Sequence, residues 1–280
     1  LNISMGSLFL ATIVPGLGLA VLFMIYYVGR AAWDGTGAPP IENEFKGQTG
    51  KLLLYVFRSL ALPIALIALV LGSIIAGWAT PTEAAAVGAA GGVLLMALTR
   101  TLTPRLVNEV VKGTVITTSM VFFIVVAATV FSYPFRYLGG DDVIIELMGA
   151  TGLGDFGLLA VILLTIFVLG FFIDWIEIVV ITLPIFYPII SELDFASYVG
   201  SEEMARVWVA VLIGLVLQTS FLTPPFGFAL FFVKGAAPPE VRIADIYRGA
   251  IPIVAIQIVG VGLVWLLPAI AICLPMMALE

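Results

Sequence analysis

The sequence predicts an all-α polytopic membrane protein, with transmembrane helices, a re-entrant helical hairpin and a broken helix. Three observations carry that prediction. Hydrophobic side chains make up 62% of the 280 residues and charged ones 11%, and the mean hydropathy is +1.20, far from a soluble globular domain. Several apolar stretches reach the roughly 20 residues that a helix needs to cross a bilayer. Two such stretches are interrupted by polar residues, one at Asp174 and Glu177 and the other in LQTSFLTPPFGFALFF at 217–232.

The elements follow in order. A first span at about 6–29 leads into a polar segment, AAWDGTGAPPIENEFKGQTG, at 31–50. KLLLYVFRSLAL, with Lys51 and Arg58 among leucines and aromatics, is expected as an interfacial helix or a positive anchor. It feeds a second span at about 61–78, and ATPTE turns the chain into a third at about 82–99. A fourth runs at about 114–135, followed by a loop rich in Gly, Asp and Glu at 136–156. The apolar stretch 157–190, an acidic loop at 191–205, the interrupted segment 206–233 and a last span at about 250–272 complete the chain.

Charge gives the sidedness. Arg30, Lys46, Lys51, Arg58, Arg100, Arg105, Lys112, Lys234, Arg242 and Arg248 all fall in three regions assigned to one side. Only Arg136 and Arg206 lie opposite, which places those three regions in the cytoplasm and the C-terminus outside. Residues 157–190 then begin and end on the outer side. Thirty-four residues are fewer than the roughly 40 that two full spans need. A re-entrant hairpin with its tip near 170–177 is the economical reading, and two short tilted spans are the alternative.

Asp174 and Glu177 stand one helical turn apart on one face. A carboxylate in the hydrocarbon core is a functional candidate by default, while a helix N-terminus would explain the same residues as caps. In the second interrupted segment, Pro224 and Pro225 lack N–H groups and break the helix. Broken backbone at membrane depth requires protein or a water-filled cavity around it. The hydroxyls of Thr219, Ser220 and Thr223, the freed carbonyls and Gly227 suit a small hard cation such as Na⁺, and the second half-helix favours an anion at its N-terminus. A simple proline kink is the alternative. Thr80, Pro81 and Glu83 read as structural, an N-cap, a first-turn proline and the N3 member of a capping box.

The single Cys273 and the absence of histidine argue against disulfides, histidine-ligated haem and zinc chemistry. The segment after Leu1 does not support a signal peptide, and the chain is expected to be a fragment of a longer protein.

GSLFLATIVPG, GWATPTEAAAVGAA, GFFIDWIEIVVITLPIFYP and FLTPPFG together resemble the large membrane subunit of the TRAP (tripartite ATP-independent periplasmic) transporters, the DctM-like family, in its C-terminal portion. The D-W-I-E hairpin is similar to the branch assigned to mannitol and chloroaromatic compounds. The resemblance implies half of an inverted-repeat, elevator-type transporter, with an earlier repeat upstream. It implies a sodium-coupled carrier, not an enzyme, importing a small organic acid across the bacterial inner membrane. Na⁺ is the coupling ion, and no tightly bound cofactor is expected. The implied partners are a small four-helix membrane subunit, a soluble periplasmic substrate-binding protein, the acid itself and membrane lipid, with no nucleic acid.

Carried onto this sequence, Gly170 to Asp174 become the hairpin tip, and Thr219, Ser220, Thr223, Pro224, Pro225 and Gly227 the sodium and substrate site. The expected domains are 1–50, the end of the preceding repeat; 51–135, arm and scaffold; 136–249, the transport part with hairpin 157–190 and broken helix 206–233; and 250–280, the final span. An ion channel with a carbonyl- and hydroxyl-lined pore is the rival function. An intramembrane enzyme using Asp174 and Glu177 lacks a nucleophile–base pair.

Overall fold

The computed structural model describes residues 3–33, 49–224, 227–238 and 240–279. These residues hold seven helices long and apolar enough to cross a membrane. They give the described residues the all-α architecture of a multi-pass membrane protein. The chain divides into two units, one of Ser4–Leu10 and Met24–Thr114, the other of Leu1–Ile3, Ala11–Phe23 and Val115–Glu280. The first helix, α1 (Met5–Trp33), contributes to both.

The smaller unit holds α2 (Thr49–Ile75) and α3 (Pro81–Leu98). The amphipathic lead-in and the expected second span are one continuous helix through Pro63. Gly77, at φ +71, turns the chain between α2 and α3. The Ala/Gly run of α3 lets α2 approach closely. A Cβ on Gly91 would overlap Leu66, and one on Gly88 would stand 3.3 Å from Val70.

The larger unit is built round one buried helix. The second half of α4 (Pro104–Tyr137) leads into α5 (Gly140–Ala150), within the segment expected as a loop. Its Gly and Asp content obscured a helical signal in Val143, Ile144, Leu147 and Met148, started by Asp141 and Asp142 in the first turn. The hairpin follows as α6 (Asp155–Leu169), a turn, α7 (Trp175–Glu177), a π-helical turn over Ile178–Thr182, and α8 (Leu183–Glu192). The first arm is about 22 Å long and the second, Trp175–Glu192, about 27 Å. At the open end Asp155 Oδ2 accepts from the Asp194 amide at 3.2 Å, closing the hairpin across its base.

After the short α9 (Ala196–Val199), α10 (Glu202–Ser220) is capped by Ser201, whose hydroxyl accepts from the Met204 amide. It is buried on nearly all sides and receives the Leu159, Ile162, Leu163 and Ile166 face of α6. Past the break come α11 (Phe228–Ala236), α12 (Ile243–Leu266) and α13 (Ala269–Leu279). The expected last span is therefore two helices. Pro268 cannot donate to the Val264 carbonyl, and α13 leaves the line of α12 to pack on α10.

That Val264 carbonyl is not left bare. The buried Trp208 indole donates to it at 2.8 Å, and the Tyr198 hydroxyl reaches the Trp265 and Leu266 carbonyls at 3.0 and 3.1 Å. Phe156 and Phe195 complete the surrounding aromatic cluster. The same device recurs on the hairpin. Pro188 cannot serve the Pro184 carbonyl, and Arg136 Nη2 donates to it at 2.7 Å from the end of α4. Arg136 also pairs with Asp141 at 3.4 Å, a half-exposed pair that adds little by itself. Arg136→Met keeps the aliphatic stem and removes the donor. It is expected to destabilise the larger unit by about 1–2 kcal/mol, the cost of an orphaned carbonyl. Thermal denaturation of the purified protein checks this, and an unchanged midpoint would refute the role.

Candidate functional site

The two interrupted segments meet. Gly170 ends α6 with ordinary helical φ, so its requirement is space, not backbone freedom. A Cβ there would overlap both Oγ and Cβ of Ser220, the last residue of α10. Five residues on, the Trp175 ring stands 6.2 Å from that of Phe221, tilted by 35°. The hairpin tip thus lies directly on the break.

At the break itself each hydroxyl is committed to its own helix. Thr219 donates to the Leu215 carbonyl at 2.9 Å, Ser220 to Val216 at 3.3 Å and Thr223 to Thr219 at 2.8 Å. All three are buried. A hydroxyl has one proton and two lone pairs. With the protons committed to carbonyls, this row offers its surroundings oxygen acceptors only, which is what a hard cation takes as ligands. No group of three or more metal-binding acidic or sulfur side chains occurs among the described residues.

The break is held shut by backbone. Pro225 lies outside the described residues, but the carbonyl it would leave without a helical donor is that of Phe221, which accepts from the Ala229 amide of α11 at 3.3 Å. Pro224 is partly buried in the turn after Thr223. Gly227 fits because a Cβ would come within 2.9 Å of the Phe221 oxygen and 3.0 Å of the Thr223 oxygen.

The acids behave differently from each other. Asp174 caps α7, its Oδ1 accepting from the Trp175 amide at 2.8 Å. Glu177 carries a buried Oε2 with no hydrogen-bond partner among the described residues. It is followed by the π-turn, in which the Leu183 amide reaches back five residues to the Ile178 carbonyl just ahead of Pro184. Thr80, Pro81 and Glu83 belong to the smaller unit. There Thr80 caps α3, the Thr80 amide donates to Glu83 Oε2 at 2.8 Å, and Pro81 is the first residue of the helix.

Sequence reasoning missed Trp175, the π-turn and Gln257 of α12. Gln257 is 2% exposed, and neither of its amide atoms has a partner among the described residues. Its signal was available as the lone amide in the apolar run IPIVAIQIVGVGLVW.

A model of the family described as "Tripartite ATP-independent periplasmic transporter, DctM component" matches residues 1–270. The chain belongs to this family. Among its relatives, the ectoine TRAP transporter large permease protein of Halomonas elongata is 30% identical over 272 residues, covering 97% of this chain and 60% of that protein. The sialic acid TRAP transporter large permease protein of Vibrio cholerae is 29% identical over 277 residues, with coverages of 98% and 60%. The C4-dicarboxylate TRAP transporter large permease protein of Rhodobacter capsulatus is 28% identical over 273 residues, with coverages of 97% and 58%. The chain therefore spans about 60% of the length of these TRAP permeases.

Proposed function

We propose that this chain is part of the large membrane subunit of a sodium-coupled carrier that imports a small organic acid. The observation that supports this most is the hairpin tip seated on a helix break whose three buried hydroxyls present only acceptor oxygens. Such a row favours Na⁺, and a half-helix N-terminus beside it favours an anionic solute. Gly170, Thr219, Ser220, Thr223, Pro224, Pro225 and Gly227 form the site in this reading, with Asp174 holding the tip. Sialic acid and C4-dicarboxylates, named for two relatives, are carboxylates of the expected class.

In this proposal the acid arrives on a soluble periplasmic binding protein. A small four-helix membrane subunit braces the scaffold, and the hairpin-bearing part moves as an elevator with the hairpin re-entrant from outside. The basic loops face the cytoplasm of a bacterium and the C-terminus lies on the periplasmic side.

The test is uptake of labelled carboxylic acids into proteoliposomes holding the complete complex. It is run with and without an inward Na⁺ gradient and with and without the binding protein. Accumulation that needs both is expected. Passive, non-saturating flux indifferent to both would replace the carrier by a channel.

A further inference from the structure

The hydroxyl protons at the break are all committed. The other side-chain donors there, Gln218 and the Trp175 indole, belong to exposed residues. Beyond the N-terminus of α11, a buried carboxylate therefore needs side-chain donors from elsewhere. No Lys or Arg occurs in the hairpin from 155 to 192, in α10 beyond Arg206 or in α12 beyond Arg248. Gln257 supplies buried donors. It carries two N–H groups and a carbonyl, all buried and unpartnered among the described residues.

Its height follows from helix register. The Trp208 indole meets Val264, near the end of α12, and α12 also packs on α11 beyond the break. Both can hold only if α10 and α12 run antiparallel. Seven residues separate Trp208 from Leu215 and seven separate Val264 from Gln257, about 10 Å along each axis. Gln257 thus stands level with Leu215, one turn from Thr219. It shares the buried face of α12 with Ala250, Gly260 and Val264. Its neighbours on that face are apolar or lack a side chain, and Gly260 is pressed by Leu19 of α1, whose Cδ2 would lie 2.5 Å from an added Cβ.

We propose that Gln257 is the donor side of the solute site. Its amide N–H groups receive the carboxylate of the transported acid, while the hydroxyl row of α10 receives the cation. This rests on the carrier reading above and adds a specificity-determining residue from a helix outside both interrupted segments. In the conformation described here the amide is closed off, and solute reaches it through the break when the hairpin tip lifts from Ser220 and Phe221.

The experiment uses the complete complex carrying Gln257→Leu or Gln257→Glu. Labelled succinate, sialic acid and ectoine are the probes, with the unaltered complex alongside. Gln257→Leu removes a buried amide without partners, so its melting temperature is expected to stay level or rise. Its KM for the acid that the unaltered complex carries is expected to rise roughly 10- to 100-fold, with the Na⁺ activation curve unmoved. Gln257→Glu, which keeps the shape but loses the donors and adds like charge, should lose at least as much.

An unchanged KM in Gln257→Leu overturns the proposal while leaving the carrier intact. A lowered melting temperature does the same, because the amide then has fixed structural partners. A shift in half-saturating Na⁺ without a shift in KM assigns Gln257 to the cation and also overturns it. Absence of any Na⁺-dependent accumulation by the unaltered complex sinks the carrier reading and this inference with it.

Discussion

Gly170→Ala is expected to cut solute uptake by at least about tenfold and to lower the melting temperature. Ser220→Gly in the same chain is expected to restore the melting temperature but not the uptake, because it also deletes a hydroxyl of the site. The added methyl must occupy space already filled by Ser220 Oγ and Cβ. Forcing a methylene into a packed interior costs about 1–3 kcal/mol, and here relief comes only from moving the hairpin tip off the break. Ser220→Gly deletes both overlapped atoms. Because Ser220 is the last residue of α10, the helix loses only about 1 kcal/mol or less by that change. Melting of the single and double variants, with uptake by the single variant measured at equal membrane abundance, checks the contact. A Gly170→Ala chain with normal uptake would show that the tip does not need this approach. A double variant that melts as low as the single would place the damage elsewhere than at Ser220.

Trp208→Phe should produce the largest loss of stability, about 2–4 kcal/mol. Trp208 is fully buried at the centre of the aromatic cluster and is the donor to Val264. Phenylalanine keeps a ring but leaves a small void and an orphaned carbonyl. Adding Pro268→Ala supplies a backbone N–H four residues after Val264 and so a substitute donor. The double variant is expected to melt several degrees above Trp208→Phe alone. Equal melting of the two would mean that the missing proline N–H is not why the indole is needed.

Both interrupted segments were legible because the chemistry that makes them costly in lipid also makes them conspicuous. A double proline and two carboxylates cannot hide in an apolar run. The hydroxyls of Thr219, Ser220 and Thr223 and the small Gly227 were legible for the same reason. What stayed hidden was anything set by distance in space. Gly170 could be named as a tip residue, but its contact with Ser220 joins residues fifty apart. Asp174 and Glu177 were legible as a pair, but which of them buries an oxygen without a partner depends on the cap geometry. The helix at 140–150 was obscured by composition, since Gly and Asp usually mark turns. Gln257 was visible and passed over, because a single amide in an apolar run has no meaning until its burial is known.

The proline-orphaned carbonyls carry a consequence for how the chain is made. Arg136 precedes Pro184 by 48 residues, and Trp208 precedes Val264 by 56. A ribosome adds roughly 5–20 residues per second, so each donor emerges some seconds before the carbonyl it will serve. A segment that cannot satisfy its own backbone therefore reaches the bilayer after its partner does. Reversing that order, by circular permutation that moves α4 behind α8, would leave the second hairpin arm to insert with a bare carbonyl and nothing waiting for it.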